Sequence, residues 1–267
     1  MPGRDVSIDA LAQATSHAAD LAMALWGGAE GSFQHWEKSP GEPVSDADLL
    51  VDEHLKRTLG ALAPDAAWLS EETADTAARM SAERLWVVDP IDGTRDFVRG
   101  RPGWSVSVAL VDRGEVVLGA LAAPARGELW LAARGHGARR NRVPISASRR
   151  RLLPGARVPA DHLPKVDQDL TMVAKPNSIA LRMAMVAADE ADLVATVRWG
   201  AEWDIAAASL IAQEAGATVT DALGQPLRFN REKPVAFGML CCAPGIHADA
   251  VERLRDRALG ILRSEET

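Results

Sequence analysis

The chain has 267 residues, 47% hydrophobic and 25% charged, the composition of one large globular domain or two small ones rather than of a disordered chain, a coiled coil or a collagen-like repeat. Thirty Lys and Arg against 37 Asp and Glu leave a net charge of -7, which argues against a nucleic-acid duplex or an anionic membrane as the main partner. No apolar stretch approaches the ~18 residues of a membrane span and the first residues lack a signal peptide's apolar run, so a cytoplasmic protein is expected.

The spacing of Ile8, Leu11, Ala12, Thr15, Ala18, Ala22 and Leu25 predicts a helix over residues 5–26, closed by Gly27-Gly28. A loop carrying Lys38, Ser39, Pro40, Gly41 and Pro43 follows. A second helix starts at Ser45, with Asp48 as the acidic partner of a capping box and Leu55, Leu59 and Leu62 as its buried stripe. Between residues 66 and 135 lie five short runs rich in Val, Leu and Trp, the later ones separated by Asp112-Arg113-Gly114 and Ala125-Arg126-Gly127. Such short connections predict an antiparallel meander, with Trp68, Trp86, Trp104 and Trp130 filling its core.

After Arg149-Arg150-Arg151 the pattern changes. Strands at 169–175, 191–197, 217–221 and 235–243 alternate with helices at 178–188, 202–216 and 247–262, which predicts a crossover-connected, partly parallel sheet. The fold class is α+β / α/β. The shift falls near residues 141–165 and divides the chain into halves at 1–145 and 146–267. Cys241 and Cys242 are neighbours on a strand, face opposite ways and are expected to be reduced.

The chemistry concentrates at residues 85–94. An apolar run delivers Asp89, Pro90 turns the chain, and Asp92 follows three residues on, beside Gly93 and Thr94. Two carboxylates so placed suit a hard, oxygen-liganded cation such as Mg²⁺, and backbone N–H groups at a turn suit a phosphate. Asp, Pro and Gly also serve ordinary turns, Glu71 reads alone as a solvated carboxylate, and Asp204 as a helix-start acid. Asp48 is equally explained by capping, and Lys38 by a surface position.

The string Asp89-Pro90-Ile91-Asp92-Gly93-Thr94 resembles the Asp-Pro-x-Asp-Gly-Thr signature of the inositol monophosphatase superfamily of Mg²⁺-dependent, lithium-sensitive phosphatases. Ser70-Glu71-Glu72, Trp203-Asp204-Ile205-Ala206-Ala207 and, less closely, Pro43-Val44-Ser45-Asp46-Ala47-Asp48 match further family elements in the family's order, so that the likeness spans roughly residues 8 to 245. It implies a layered αβαβα sandwich. It also implies two or three Mg²⁺ ions, with Glu71, Asp89 and the Ile91 carbonyl at one and Asp89, Asp92 and Asp204 at a second. Glu71 and Thr94 would orient and deprotonate a metal-activated water, while Gly93 and Thr94 N–H, with Asp92 and Asp204, meet the substrate. Asp-x-Asp phosphatases of the haloacid-dehalogenase type form a phosphoryl-aspartate; the longer spacing here, with Pro90 and Ile91 between the two acids, predicts direct attack by water instead.

Within the superfamily, three features are similar to the 3'(2'),5'-bisphosphate nucleotidase branch. They are Leu69-Ser70-Glu71-Glu72, Glu202 before Trp203-Asp204, and Ser178-Ile179-Ala180-Leu181-Arg182. Arg182 or Lys175 would meet a second phosphate unless it is simply solvated. Arg142 after Asn141, and Asp189, stand where relatives often carry glycine near the substrate side. Inositol-1-phosphate and histidinol phosphate are the alternative substrates, and a non-catalytic metal- or phosphate-binding protein is the alternative of another class. The expected partner is a small phosphorylated molecule, and a homodimer is compatible with the likeness.

Overall fold

In a computed structural model of the chain, residues 6–27, 34–39 and 42–265 are described. Helix α1 (Ile8–Leu25) is capped by Ser7, whose hydroxyl accepts from the Ala10 N–H at 3.1 Å, and buries Leu11, Ala14, Ala18 and Ala22. The expected loop contains a hairpin instead, β1 (His35–Ser39) paired with β2 (Glu42–Ser45). Helix α2 (Asp46–Leu62) begins at the predicted capping box: Asp48 accepts from the Ser45 N–H at 2.8 Å and from its hydroxyl at 2.6 Å.

A seven-stranded sheet follows, in the order β3 (Ala67–Ser70), β4 (Arg84–Asp92), β5 (Ser105–Asp112), β6 (Glu115–Ala123), β7 (Glu128–Ala133), β8 (Ala138–Arg140) and β9 (Val143–Pro144). From β4 onward it is the predicted antiparallel meander. The exception is β3, which pairs with β4 in parallel, because the 13-residue excursion after Ser70 carries the chain back to the same end of the sheet. The two-residue turns Arg113-Gly114 and Asn141-Arg142 have positive φ at both positions, as hairpin twist requires.

Side chains alternate across this sheet. Trp86, Val88, Val106 and Val108 face α1 and α2; Leu85, Val87, Ala109 and Leu121 face α4 (Ile179–Ala187) and α5 (Glu202–Glu214). Trp104 and Trp130 are buried as expected, while Trp68 is half-buried. The fit of α5 is close: a Cβ at Gly119 would stand 2.8 Å from the Ala207 carbonyl oxygen, so the small residues Ala206-Ala207-Ala208 serve packing.

Beyond these helices lies a three-stranded sheet in the order β12 (Leu193–Ala201), β14 (Val235–Cys242), β13 (Thr218–Thr220), with α6 (His247–Glu265) on its outer face. The expected parallel character is reduced here. Helix α5 does cross over between β12 and β13, but β14 enters between them antiparallel to both. The parallel pair is the short β10 (Arg157–Pro159) with β11 (Thr171–Val173). Cys241 and Cys242 are free thiols on opposite faces, toward α5 and α6 respectively. The layers run helix, sheet, helix, sheet, helix. No helix among the described residues is long and apolar enough to cross a membrane.

Candidate active site

The acidic motif occupies the end of β4, where Pro90 does not end the strand. Asp89 pairs with Ser107 and Asp92 with Ser105, so three steps along β4 oppose two along β5: a β-bulge. Ser105 and Ser107 share a face, and their partners therefore do too. The bulge turns a three-residue spacing, which would otherwise put the two carboxylates on opposite faces, into a same-face pair. Proline sits there without leaving a ladder hydrogen bond unmade. Gly93 follows at φ 92°, heading the short helix α3 (Thr94–Val98), and a Cβ there would lie 2.8 Å from both the Gly103 carbonyl oxygen and the Ser178 nitrogen. Only glycine fits.

Parallel pairing of β3 with β4 brings two C-terminal strand ends together. Ser70 lies opposite Val88, the Glu71 N–H donates to the Val88 carbonyl at 3.3 Å, and Glu71 arrives beside Asp89. Asp204 enters from the first turn of α5. Ligand oxygens of Glu71, Asp89 and Asp204 all lie within 4.8 Å of one another. A cleft of about 350 Å³ is lined by these three with Ile91, Asp92, Gly93, Thr94, Arg95, Asn177 and Ile179.

Burial, and then repulsion from Glu71, Asp92, Asp204 and Asp48, push the Asp89 carboxyl well above its ordinary range. Burial also raises Asp204, with Asp92 and Glu71 adding to it. Like charges crowded on the floor of a cleft favour a counter-charge, and oxygen donors from three distant segments fit a hard divalent cation.

Asp92 stands beside this trio but is committed to α4. Its carboxylate accepts from the Ser178 hydroxyl at 2.5 Å, the Ala180 N–H at 2.8 Å and the Ile179 N–H at 3.2 Å. Burial raises its pKa, and these donors, Ser178 foremost, oppose the rise. The one proton of the Thr94 hydroxyl has two acceptors in reach, the Ile91 carbonyl at 3.0 Å and Asp48 Oδ1 at 3.3 Å. Asp48, 1% exposed, thus caps α2 as read and touches the cleft-lining Thr94 without lining the cleft itself.

Other candidates are placed differently from expectation. Ser178 is fully buried as the N-cap of α4, accepting from the Leu181 N–H at 2.9 Å behind Asp92, and does not line the cleft. Arg182 is spent on the Pro176 and Asn177 carbonyls, and Lys175 pairs with Asp161 at 2.5 Å. Neither lines the cleft. Lys175 found its acceptor at Asp161, whereas Arg182 turns back on the carbonyls just before α4, near enough to Asp92 to feel its charge. Lys38 lies on β1, with its side chain outside the described residues. Glu202, of the branch-like Glu-Trp-Asp run, is 1% exposed and accepts from the Asn230 N–H at 2.7 Å and the Arg231 N–H at 3.0 Å, anchoring a loop. Arg142 and Asp189 lie away from the cleft; Asp189 takes φ 59° and pairs with Arg157.

Sequence reasoning missed Arg95, an exposed cation on the cleft wall whose signal was its place directly after Thr94, and Asn177, for which there was none.

Comparison with known proteins agrees with this geometry. The family model described as "Inositol monophosphatase family" matches residues 5–259. Similar curated proteins include three with discordant names. A Streptomyces griseus protein named glucose-1-phosphate thymidylyltransferase is 35% identical, covering 76% of this chain and 81% of its own length. A Dictyostelium discoideum inositol monophosphatase is 37% identical, covering 76% and 79%. The Escherichia coli K12 3'(2'),5'-bisphosphate nucleotidase CysQ is 30% identical, covering 84% and 94%. Among solved structures, a Thermotoga maritima IMPase superposes with a TM-score of 0.79 at 29% identity, covering 93% of this chain and 96% of that one.

Proposed function

We propose a specific reaction for this chain, which belongs to the inositol monophosphatase family of phosphoric monoester hydrolases: Mg²⁺-dependent removal of one phosphate from a 3'(2'),5'-bisphosphate nucleotide by direct attack of water. The observation that carries the metal-dependent part is the convergence of Glu71, Asp89 and Asp204 oxygens within 4.8 Å. Glu71, Asp89 and the Ile91 carbonyl, together with Asp92 and Asp204, would hold Mg²⁺, which supplies charge to the transition state and acidifies the attacking water.

The chain's own groups do the rest. Thr94 Oγ1 orients the water, and its bond to Asp48 Oδ1 gives a proton a route out of the cleft. Glu71 is the second acceptor near that water. Gly93 and Thr94 line the cleft and offer N–H groups to the phosphate oxygens. Asp92, anchored by three donors, keeps its place while charge redistributes around it.

For the substrate, likeness alone does not choose, because the named relatives stand at comparable identity. Two features support the bisphosphate reading: the Leu69-Ser70-Glu71-Glu72 run, and Arg95, the one basic residue among the described residues lining the cleft, whose charge would suit a second anionic group. Inositol-1-phosphate is the second reading, favoured by the Dictyostelium relative. A phosphate-release panel with Mg²⁺ over adenosine 3',5'-bisphosphate, inositol-1-phosphate and histidinol phosphate tests the ranking. The expected result is a preference of about tenfold or more in kcat/KM for the bisphosphate, reduced by Arg95→Ala. A similar preference for inositol-1-phosphate overturns it.

A further inference from the structure

One buried carboxylate near the cleft has no part in the reaction as described. Asp52 lies one helical turn after Asp48 on the same face of α2 and is 7% exposed. Its Oδ1 accepts from the Ser70 hydroxyl, and its Oδ2 accepts from the Thr73 hydroxyl at 2.6 Å. Ser70 and Thr73 flank Glu71 and Glu72. The segment that carries Glu71 is therefore fastened at both ends to one side chain.

We propose that Asp52 is a positioning residue: through Ser70 and Thr73 it sets the direction in which Glu71 faces Asp89 and Asp204. The inference rests on the reading of Glu71 as a metal ligand. Each hydroxyl already accepts an N–H, Ser70 from Glu72 at 3.3 Å and Thr73 from the Trp68 indole at 3.3 Å. Each hydroxyl has one proton to donate, and both are given to Asp52. A residue that accepts on two atoms at once satisfies them, and a carboxylate of this length does so. An amide presents one accepting oxygen and one donating NH₂, so one of the two hydroxyl protons would lose its acceptor. The Glu71 N–H donates to the Val88 carbonyl, and its side chain leaves from the short curl, residues 70–73, whose two ends Asp52 holds. Outer partners that orient ligands in this way commonly change metal affinity about 10–100-fold when removed.

The test is a cycle on the full chain using Mn²⁺ alone, read by calorimetry without substrate, with the Tm of each metal-free variant measured in parallel. Asp52→Asn is expected to weaken Mn²⁺ binding about tenfold. In a Glu71→Gln background the same change should alter binding less than about twofold, because Asp52 then has no ligand to aim. Equal losses with and without Glu71, or unchanged affinity in Asp52→Asn whatever its Tm, overturn the positioning role. Unchanged affinity in Glu71→Gln overturns both this role and the metal reading beneath it. Should Asp52→Asn not fold, Thr73→Val, at a half-buried hydroxyl, enters the same cycle with the same expected coupling to Glu71 and the same overturning results.

Discussion

Replacing Ser178 by alanine separates a substrate contact from a support. The hydroxyl accepts from the Leu181 N–H at 2.9 Å, capping α4, and its loss there costs about 1 kcal/mol. It also donates to the Asp92 carboxylate at 2.5 Å, a bond to a charged group worth about 1.5–3 kcal/mol, although Asp92 Oδ2 keeps the Ala180 N–H. Together these predict a loss of about 2–4 kcal/mol, read from urea unfolding followed by tryptophan fluorescence without metal. Asp92, freed on one side, should shift within the cleft and reduce turnover about 10–100-fold, while KM at saturating Mg²⁺ stays within about twofold. A tenfold rise in KM with unfolding free energy unchanged to about 0.5 kcal/mol would refute this reasoning and make Ser178 a substrate contact after all.

Thorough chelation with EDTA should abolish phosphate release and added Mg²⁺ should restore it; release that persists contradicts the acidic-cleft mechanism. Asp192, held by Arg157 and Ser148, has its carboxyl lowered from 3.8 to about 2 against the opposing effect of burial. A depressed folded-state pKa stabilises above the unfolded value, so the contribution is complete above about pH 4 and lost as pH falls toward 2. With Arg157 34% exposed and screened by water, it amounts to about 1–2 kcal/mol. The stability gap between the native chain and Asp192→Asn should narrow over that window in urea titrations; a constant gap refutes the assignment. Arg142 takes φ 70° in its hairpin turn, where glycine carries no Cβ penalty. Arg142→Gly should therefore stabilise by about 0.5–1 kcal/mol, and a loss of stability would show that the strain is absent.

What was legible in the amino-acid order was local. The capping box at Ser45 and Asp48 is a four-residue pattern and folds as read. The opposed faces of Cys241 and Cys242 follow from strand geometry. The placement of Asp89 and Asp92 on one face was anticipated as a turn, but it arises from a bulge, which needs β5 as the counting frame. The hairpin β1–β2 was missed because Pro40-Gly41 and Pro43 read as loop punctuation. Lys175, Arg182 and Ser178 looked available because sequence displays a donor without its acceptor: Asp161 and Asp92 become neighbours only in the folded chain, and Arg182 turns back on the Pro176 and Asn177 carbonyls that precede α4.

The sequence by itself marked the candidate acidic side chains, since the run from Asp89 to Thr94 sets paired carboxylates and a glycine within six residues. Tertiary structure decided what those groups face. A parallel β3 delivers Glu71, the docking of α5 delivers Asp204, and α2 supports both edges of the cleft through Asp48 and Asp52. The physical reason is that carboxylate repulsion and hydrogen-bond partnership depend on distance in space, and distance along the chain determines that only within one element.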